Sequence, residues 1–150
     1  MWASIIAVVG TLLGGTLTGL LQIKSARITQ SAARADQREE ALRRALGELV
    51  AALGDHRRAM WQREVLRLNG ATEEAVEAAR TVSRATRSAV TGPLVAVSVL
   101  ERSLAGPARQ AALAAFNLRD ATDHTTLAAH REAAIAATDE LVAAASRAMA

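Results

Sequence analysis

The chain has 150 residues, enough for one small domain and an additional segment. Hydrophobic residues make up 51% of the sequence and aromatic residues only 2%, so the apolar content is mainly Ala, Leu and Val, which predicts a largely helical protein. Cysteine is absent, which excludes disulfides and thiolate metal sites, and the formal net charge is +3, so the positions of the arginines determine which acidic partners fit.

The opening segment is uncharged. No Asp, Glu, Lys or Arg occurs from Met1 to Ile23. A helix of that length extends about 35 Å, and the hydrocarbon core of a bilayer is about 30 Å thick. A cleaved signal peptide, a buried soluble helix and an interfacial helix fit less well, since each requires basic or polar residues that this segment lacks. The sequence therefore predicts a transmembrane helix over residues 1–23.

Basic residues follow the uncharged segment rather than precede it. They are Lys24, Arg27, Arg34, Arg38, Arg43 and Arg44. Positively charged flanks remain on the cytoplasmic side of a membrane. We therefore expect a single-pass protein of the cell membrane, with its N-terminus outside and its C-terminal part in the cytoplasm.

Two glycine pairs lie within the predicted transmembrane helix. Gly10 and Gly14 form one G-x-x-x-G motif, and Gly15 and Gly19 form another. Such motifs let membrane helices approach closely, which predicts packing into a homo-oligomer. The alternative is that glycine is simply frequent in membrane helices.

A second helix is predicted over residues 24–53. Apolar or small residues recur in a heptad-like stripe: Ile28, Ala32, Ala35, Leu42, Leu46, Leu49 and Leu53. Opposite charges stand four residues apart at Glu39 and Arg43 and at Glu40 and Arg44, which is typical of solvated helix surface. Gly54 predicts a break, so the remaining residues, 54–150, form the third region.

Caps and helix breakers divide residues 54–150 into short helices. The predicted boundaries are Asn69-Gly70, Thr72, Gly92-Pro93, Gly106-Pro107 and Asp123. Apolar residues follow a helical period between them, except for a short alternation at Val95, Val97 and Val99, which cannot form a sheet by itself. The predicted fold is all-α, with a small Ala-rich antiparallel helical bundle after the membrane and juxtamembrane helices.

The sequence contains no pattern typical of an enzyme. Its histidines, His56, His124 and His130, do not form a zinc-ligand pattern, and Asp120 with His124 supplies only two ligands. Nucleophile elbows and phosphate-binding glycine loops are absent from the sequence. We therefore expect no catalytic residues, no metal, no cofactor and no small-molecule substrate.

Two groups of arginines are candidates for phosphate binding. Arg80, Arg84 and Arg87 share one helix face, and Arg57 and Arg58 belong to a second group with His56, Arg63 and Arg67. Guanidinium groups bind the phosphates of anionic lipids or nucleic acids. The alternative is a solvated face with pairs such as Glu77 and Arg80. Trp61 fits a core position better than a platform on which bases stack, so the sequence offers little for binding single strands. Direct binding of nucleic acid through the arginines stays an alternative.

Three stretches of the sequence are distinctive in combination: "SIIAVVGTLLGGTLTGLLQ", "LVAALGDHRRAMWQREVLRLNGA" and "AVTGPLVAVSVL". In this combination the chain resembles the KilB family, small membrane-associated proteins of conjugative plasmids and integrating elements in filamentous actinobacteria. The resemblance implies a role in plasmid transfer and intramycelial spread, with lethality when expression is unregulated. It supplies no active-site residues.

The prediction is a non-enzymatic, membrane-anchored protein that supports conjugal transfer by self-assembly and by binding a partner or the membrane surface. DNA-transfer proteins are candidate partners. One alternative is a membrane-linked DNA-binding protein that uses Arg80, Arg84 and Arg87. Another is a phage-type lysis or pore-forming protein.

Overall fold

The computed structural model describes the backbone of residues 2–149 and the side chains of residues 33–149. Four α-helices cover most of this range: α1 (Trp2–Leu68), α2 (Glu73–Leu100), α3 (Ala105–Phe116) and α4 (His124–Ala148). A short 3-10 helix (Arg102–Leu104) connects α2 to α3. Residues 2–149 contain no β-strand, so the all-α prediction is confirmed for this part of the chain.

The chain divides into two units, Met1–Arg38 and Glu39–Ala150. The predicted transmembrane segment, 1–23, falls in the first unit and lies outside the residues whose side chains are described, together with its glycines: Gly10, Gly14, Gly15 and Gly19. Within the part of the chain that the structure describes with side chains, no helix is sufficiently long and apolar to cross a membrane.

The larger hydrophobic cluster of the second unit joins all four helices. The heptad-like stripe supplies its α1 side through Leu42, Leu46, Leu49 and Leu53, which had been assigned by sequence to a juxtamembrane helix. The cluster also contains Val90 and Val97 of α2 and Leu104 of the 3-10 helix. Alanines of α3 and two residues near the end of α4 join them: Ala108, Ala111, Ala112, Ala115, Leu141 and Ala145. Alanines let the helices approach closely, and burial of the leucines supplies most of the hydrophobic stabilisation.

A smaller cluster lies further along α1. Met60 packs in this cluster with residues from the turn between α3 and α4 and from the first half of α4: Leu118, Ala121, Leu127 and Ala134. Residues 42–53 of α1 therefore meet the last part of α4, while Met60 meets its first part, so within the second unit α1 and α4 run in opposite directions. Two contacts indicate the same for α1 and α2, since His56 meets Thr86, whereas Leu66, later in α1, lines a groove with Ala75, earlier in α2. The second unit is an antiparallel helical bundle.

The helix ends follow the predicted caps. Gly70 adopts a positive φ of 67°, which glycine tolerates without strain, and ends the turn after α1. The Thr72 hydroxyl accepts a hydrogen bond from the Ala75 N–H at 3.4 Å, and the Asp123 carboxylate accepts one from the Thr126 N–H at 2.7 Å. This second bond, with others from Thr122 and Thr126, lowers the pKa of Asp123.

Two predicted helix breaks are wrong. Helix α1 continues through Gly54, and α2 continues through Gly92 and Pro93. The fully buried Leu53 and Val97 hold these segments in helical register, since packing of an apolar face outweighs the cost in a helix interior of about 1 kcal/mol for glycine and about 3 kcal/mol for proline. The alternation of valines follows from this helix: Val97 is buried, while the others in the run face solvent.

Candidate functional site

Five arginines line one cleft of the bundle: Arg63, Arg80, Arg84, Arg87 and Arg119. The cleft measures about 170 Å³, and its remaining walls are His56, Met60, Ser83 and Phe116. This volume is far above the roughly 10–15 Å³ that one water molecule requires. The cleft therefore has room for a small ligand beside its ordered side chains.

Helical spacing explains why these residues meet. His56, Met60 and Arg63 stand four and three residues apart, so they share one face of α1. The predicted face of Arg80, Arg84 and Arg87 lies opposite, on the antiparallel helix α2. Arg119 joins them from the turn after α3. Three separate elements thus direct guanidinium groups to one cleft.

Carboxylates compensate part of this charge. Glu77 forms an ion pair with Arg80, and its Oε1 lies 3.7 Å from the Arg84 Nη1. The Arg63 Nε lies 3.5 Å from the Glu64 Oε1, and the Arg119 Nε lies 3.4 Å from the Asp120 Oδ2. Five guanidinium groups thus share three carboxylates in the described part of the chain.

The guanidinium group of Arg87 contacts an aromatic ring instead. Its Cζ lies 4.1 Å from the centroid of the Phe116 ring, and Arg87 has no carboxylate partner within residues 33–149. His56 packs edge-on against the same ring, with the two centroids 5.2 Å apart. Cation–π contact stabilises the position of Arg87 but leaves its charge uncompensated.

His56 is buried, with 1% of its surface exposed. Its Nδ1 lies 3.0 Å from the Thr86 hydroxyl, which itself donates to the Ser83 carbonyl at 3.1 Å. The hydroxyl therefore accepts from Nδ1–H, which makes Nε2 the unprotonated nitrogen. Nε2 has no hydrogen-bond partner. His56 therefore lines the cleft and carries a buried acceptor that no group of the described residues uses.

The surroundings of His56 favour its neutral form. Burial is the main cause that lowers the pKa of His56 from 6.5 to about 4, and the positive charge of Arg87 adds to this effect, while a hydrogen bond to the Ser83 backbone opposes it. The ring is therefore uncharged near neutral pH.

A buried carboxylate lies beside Arg63, one of the arginines that line the cleft. Glu64 is fully buried, and its Oε2 accepts a hydrogen bond from the Arg67 Nε at 2.8 Å. Arg67 also donates to the Ala121 carbonyl, which ties α1 to the turn before α4. His124 strengthens this end of the bundle, since its Nε2 lies 3.0 Å from the Asn69 Oδ1.

The second predicted arginine group is divided by the structure. Arg57 and Arg58 line a separate groove of about 540 Å³, together with Trp61, Gln62 and Arg131. Trp61 is partly buried against the smaller cluster, and the Arg131 guanidinium lies 5.3 Å from its ring centroid. Arg57 and Arg58 therefore do not join the α2 arginines in one site, whereas His56 and Arg63 do.

Sequence reasoning missed the full composition of this cleft. The spacing of His56, Met60 and Arg63 was a usable signal for their common face, but nothing local links Arg119 to α2. Clusters of acidic residues and histidines that fit a metal ion are absent from the described residues.

Comparison with known proteins identifies the family. The model of the KilB plasmid transfer protein family matches residues 43–149, which includes the whole cleft. Protein KilB of Streptomyces lividans is 56% identical over 147 residues, covering 98% of this chain and 97% of that protein. No solved structure matches the chain. The chain belongs to the KilB plasmid transfer protein family.

Proposed function

We propose that this protein supports conjugal plasmid transfer and intramycelial spread as a non-enzymatic, membrane-anchored protein that self-assembles and binds partners. The observation that carries the proposal is the convergence of five arginines on one cleft in a member of a plasmid transfer family. Such a cleft suits recognition of phosphate groups, which membranes and DNA both present.

The uncharged segment supports the anchor. Residues 1–23 are long enough to span a bilayer as a helix, and the positive charges that follow favour a cytoplasmic bundle. In this arrangement the cleft operates near the cytoplasmic surface of the membrane, where anionic headgroups attract arginines.

Cell fractionation tests the anchor directly. Membranes are washed with carbonate, and intact and opened cells are treated with protease. The protein should stay in the washed membranes, and the bundle should be cleaved only after the cells are opened. Release of the protein by carbonate, or cleavage of the bundle in intact cells, would contradict the proposed topology.

Association of the proposed membrane helices depends on the two glycine faces. Gly14→Leu and Gly15→Leu should each weaken self-association in a membrane two-hybrid assay, because leucine prevents close approach of the backbones. Thr16→Leu is the matched control, since residue 16 lies between the two glycine faces of a helix. An unchanged signal in both glycine variants would rule out this packing.

Direct DNA binding is the second candidate, and the common face of Arg80, Arg84 and Arg87 on α2 is the observation that favours it. Binding through phosphates weakens steeply as salt rises, because bound counterions are released. A titration of the full-length protein with duplex DNA at several salt concentrations tests this candidate. Tight, salt-sensitive binding would support it, and absence of binding at low salt would exclude it.

A further inference from the structure

We infer that the arginine-lined cleft is a binding site for a phosphomonoester group, either free in solution or at the head of a lipid. The inference goes beyond the proposed role in transfer and does not require the membrane anchor. It rests on the charge of the cleft, on its shape and on the unused acceptor of His56.

The uncompensated charge of the cleft matches a phosphomonoester. Five arginines line the cleft and three carboxylates pair with members of this set, which leaves two positive charges. Glu64 is also shared with Arg67, so its contribution to the cleft is smaller than one full charge. A phosphomonoester carries about −1.5 to −2 charges at neutral pH. A carboxylate or a phosphodiester would leave part of this charge uncompensated.

The geometry of the cleft also favours a compact oxyanion. The arginines of the lining come from α1, from α2 and from the turn after α3, so they belong to different walls of the cleft rather than to one helix. Three terminal oxygens of a phosphomonoester can accept bonds from several sides, whereas a nucleic-acid strand presents its phosphates along an extended path. The one aromatic side chain that lines the cleft, Phe116, contacts Arg87 and His56, which leaves little of its ring for stacking a base.

His56 supplies the complementary acceptor. Its Nε2 is buried and has no hydrogen-bond partner, which is costly unless a ligand satisfies it. The second pKa of a phosphomonoester is about 6, so part of the bound groups carry a hydroxyl near neutral pH. Because His56 lines the cleft, that hydroxyl can donate to Nε2 once the ring turns toward the ligand, while the remaining oxygens accept from the arginines. A purely structural cluster of arginines has no need for such an acceptor.

Inorganic phosphate is the probe for the site. Its affinity for the full-length protein in nonionic detergent at pH 7 is measured by calorimetry, with sulfate for comparison. The double variant Arg84→Ala with Arg87→Ala should reduce phosphate affinity by about tenfold or more, since two charge-assisted bonds are lost. Both side chains are exposed, so the fold should be kept, which circular dichroism verifies.

The matched control is Arg102→Ala with Arg147→Ala. It removes the same charge from two exposed positions outside the cleft. This variant should bind phosphate as the unmodified protein does. An equal loss of affinity in the two double variants would overturn the inference, because it would show a general charge effect.

The pKa of His56 gives an independent test of whether phosphate binds in the cleft. The charged side chains around the cleft are Arg63 and Glu64 of α1, Arg80, Arg84, Arg87 and Glu77 of α2, and Arg119 and Asp120 after α3. A bound anion offsets the positive charge near the ring, so saturating phosphate should raise the pKa of His56 in an NMR titration. An unchanged His56 titration at saturating phosphate would place the anion elsewhere and overturn the assignment.

Vesicles distinguish the source of the phosphate group. Phosphatidic acid carries a phosphomonoester, whereas phosphatidylglycerol carries a phosphodiester. Cleft-dependent flotation with phosphatidic acid vesicles, competed by inorganic phosphate, would identify a lipid source. Cleft-dependent binding of inorganic phosphate without this preference would identify a soluble source.

Two results would refute the site altogether. One is absence of phosphate binding to the unmodified protein. The other is duplex DNA binding that excess inorganic phosphate leaves intact and that requires Arg84 and Arg87. Either result leaves the anchor and the transfer role unaffected, because fractionation tests those separately.

Discussion

The two ends of the helical bundle bury different kinds of side chain. Near Leu49 the buried residues of the four helices are leucine, valine and alanine alone. Beyond Leu53 the interior also contains His56, Glu64 and Ser83, which are the buried polar or charged residues of the described part. The arginine-lined cleft opens at this second end. The end near Leu49 therefore contributes stability, whereas the end near His56 contains the buried polar groups and the arginine-lined cleft.

This difference has an energetic meaning. Burial of a histidine and a carboxylate costs free energy that an apolar replacement of similar volume would avoid. Buried polar groups that contribute little to stability are typical of functional sites. The packed apolar end therefore holds the helices in place, which keeps the polar groups of the other end in position.

Leu49→Ala should have the largest effect and shows how much the apolar end contributes. Leu49 is fully buried, so its truncation should lower the free energy of unfolding by about 3–4 kcal/mol. Urea unfolding of the full-length protein in nonionic detergent measures this. Leu113→Ala is the control, since Leu113 is 52% exposed and should cost far less. Similar losses in the two variants would mean that the apolar end is not tightly packed.

The pH dependence of stability tests the polar end. The pKa of His56 is lowered from 6.5 to about 4 in the folded chain. At pH values between these two, His56 is therefore mostly protonated in the unfolded chain and mostly neutral in the folded chain. Stability should therefore fall by about 3 kcal/mol as the pH decreases from above 6.5 to 4.

His56→Leu should remove this part of the pH dependence, which unfolding curves at several pH values measure. His124→Leu serves as the control, because it removes an exposed histidine and keeps His56. A His56→Leu protein with the same loss of stability on acidification would show that another group is responsible.

Glu64→Gln should have the smallest of these effects. The change keeps the volume of the side chain but removes the charge that Arg63 and Arg67 share. Because Arg67 is 38% exposed and water can solvate it, we expect the loss of a charge-assisted hydrogen bond, about 2 kcal/mol in the free energy of unfolding. Glu40→Gln changes an exposed pair and should cost less than about 0.5 kcal/mol. Equal stability of Glu64→Gln and the unmodified protein would indicate that the buried pair only breaks even.

Much of the fold was accessible from sequence because it depends on local chemistry. The caps at Thr72 and Asp123 and the pairs Glu39–Arg43 and Glu40–Arg44 all form as predicted. The breaks at Gly54 and Pro93 do not form, since packing of neighbouring apolar residues overrides the preference of a single residue.

Only part of the candidate site could be predicted from the sequence. Helical spacing identified Arg80, Arg84 and Arg87 as one face, and the structure keeps them together. The meeting of this face with His56, Arg63 and Arg119 depends on how the helices pack, which no local pattern encodes. The same packing turns Arg57 and Arg58 toward a different groove.

Plasmid spread in a mycelial host tests most directly whether the polar end of the bundle carries the function. Cells that produce the Arg84→Ala, Arg87→Ala protein are compared with cells that produce the Arg102→Ala, Arg147→Ala protein, at equal protein levels. The account predicts that spread is lost in the first and retained in the second. Normal spread with the first protein would contradict it.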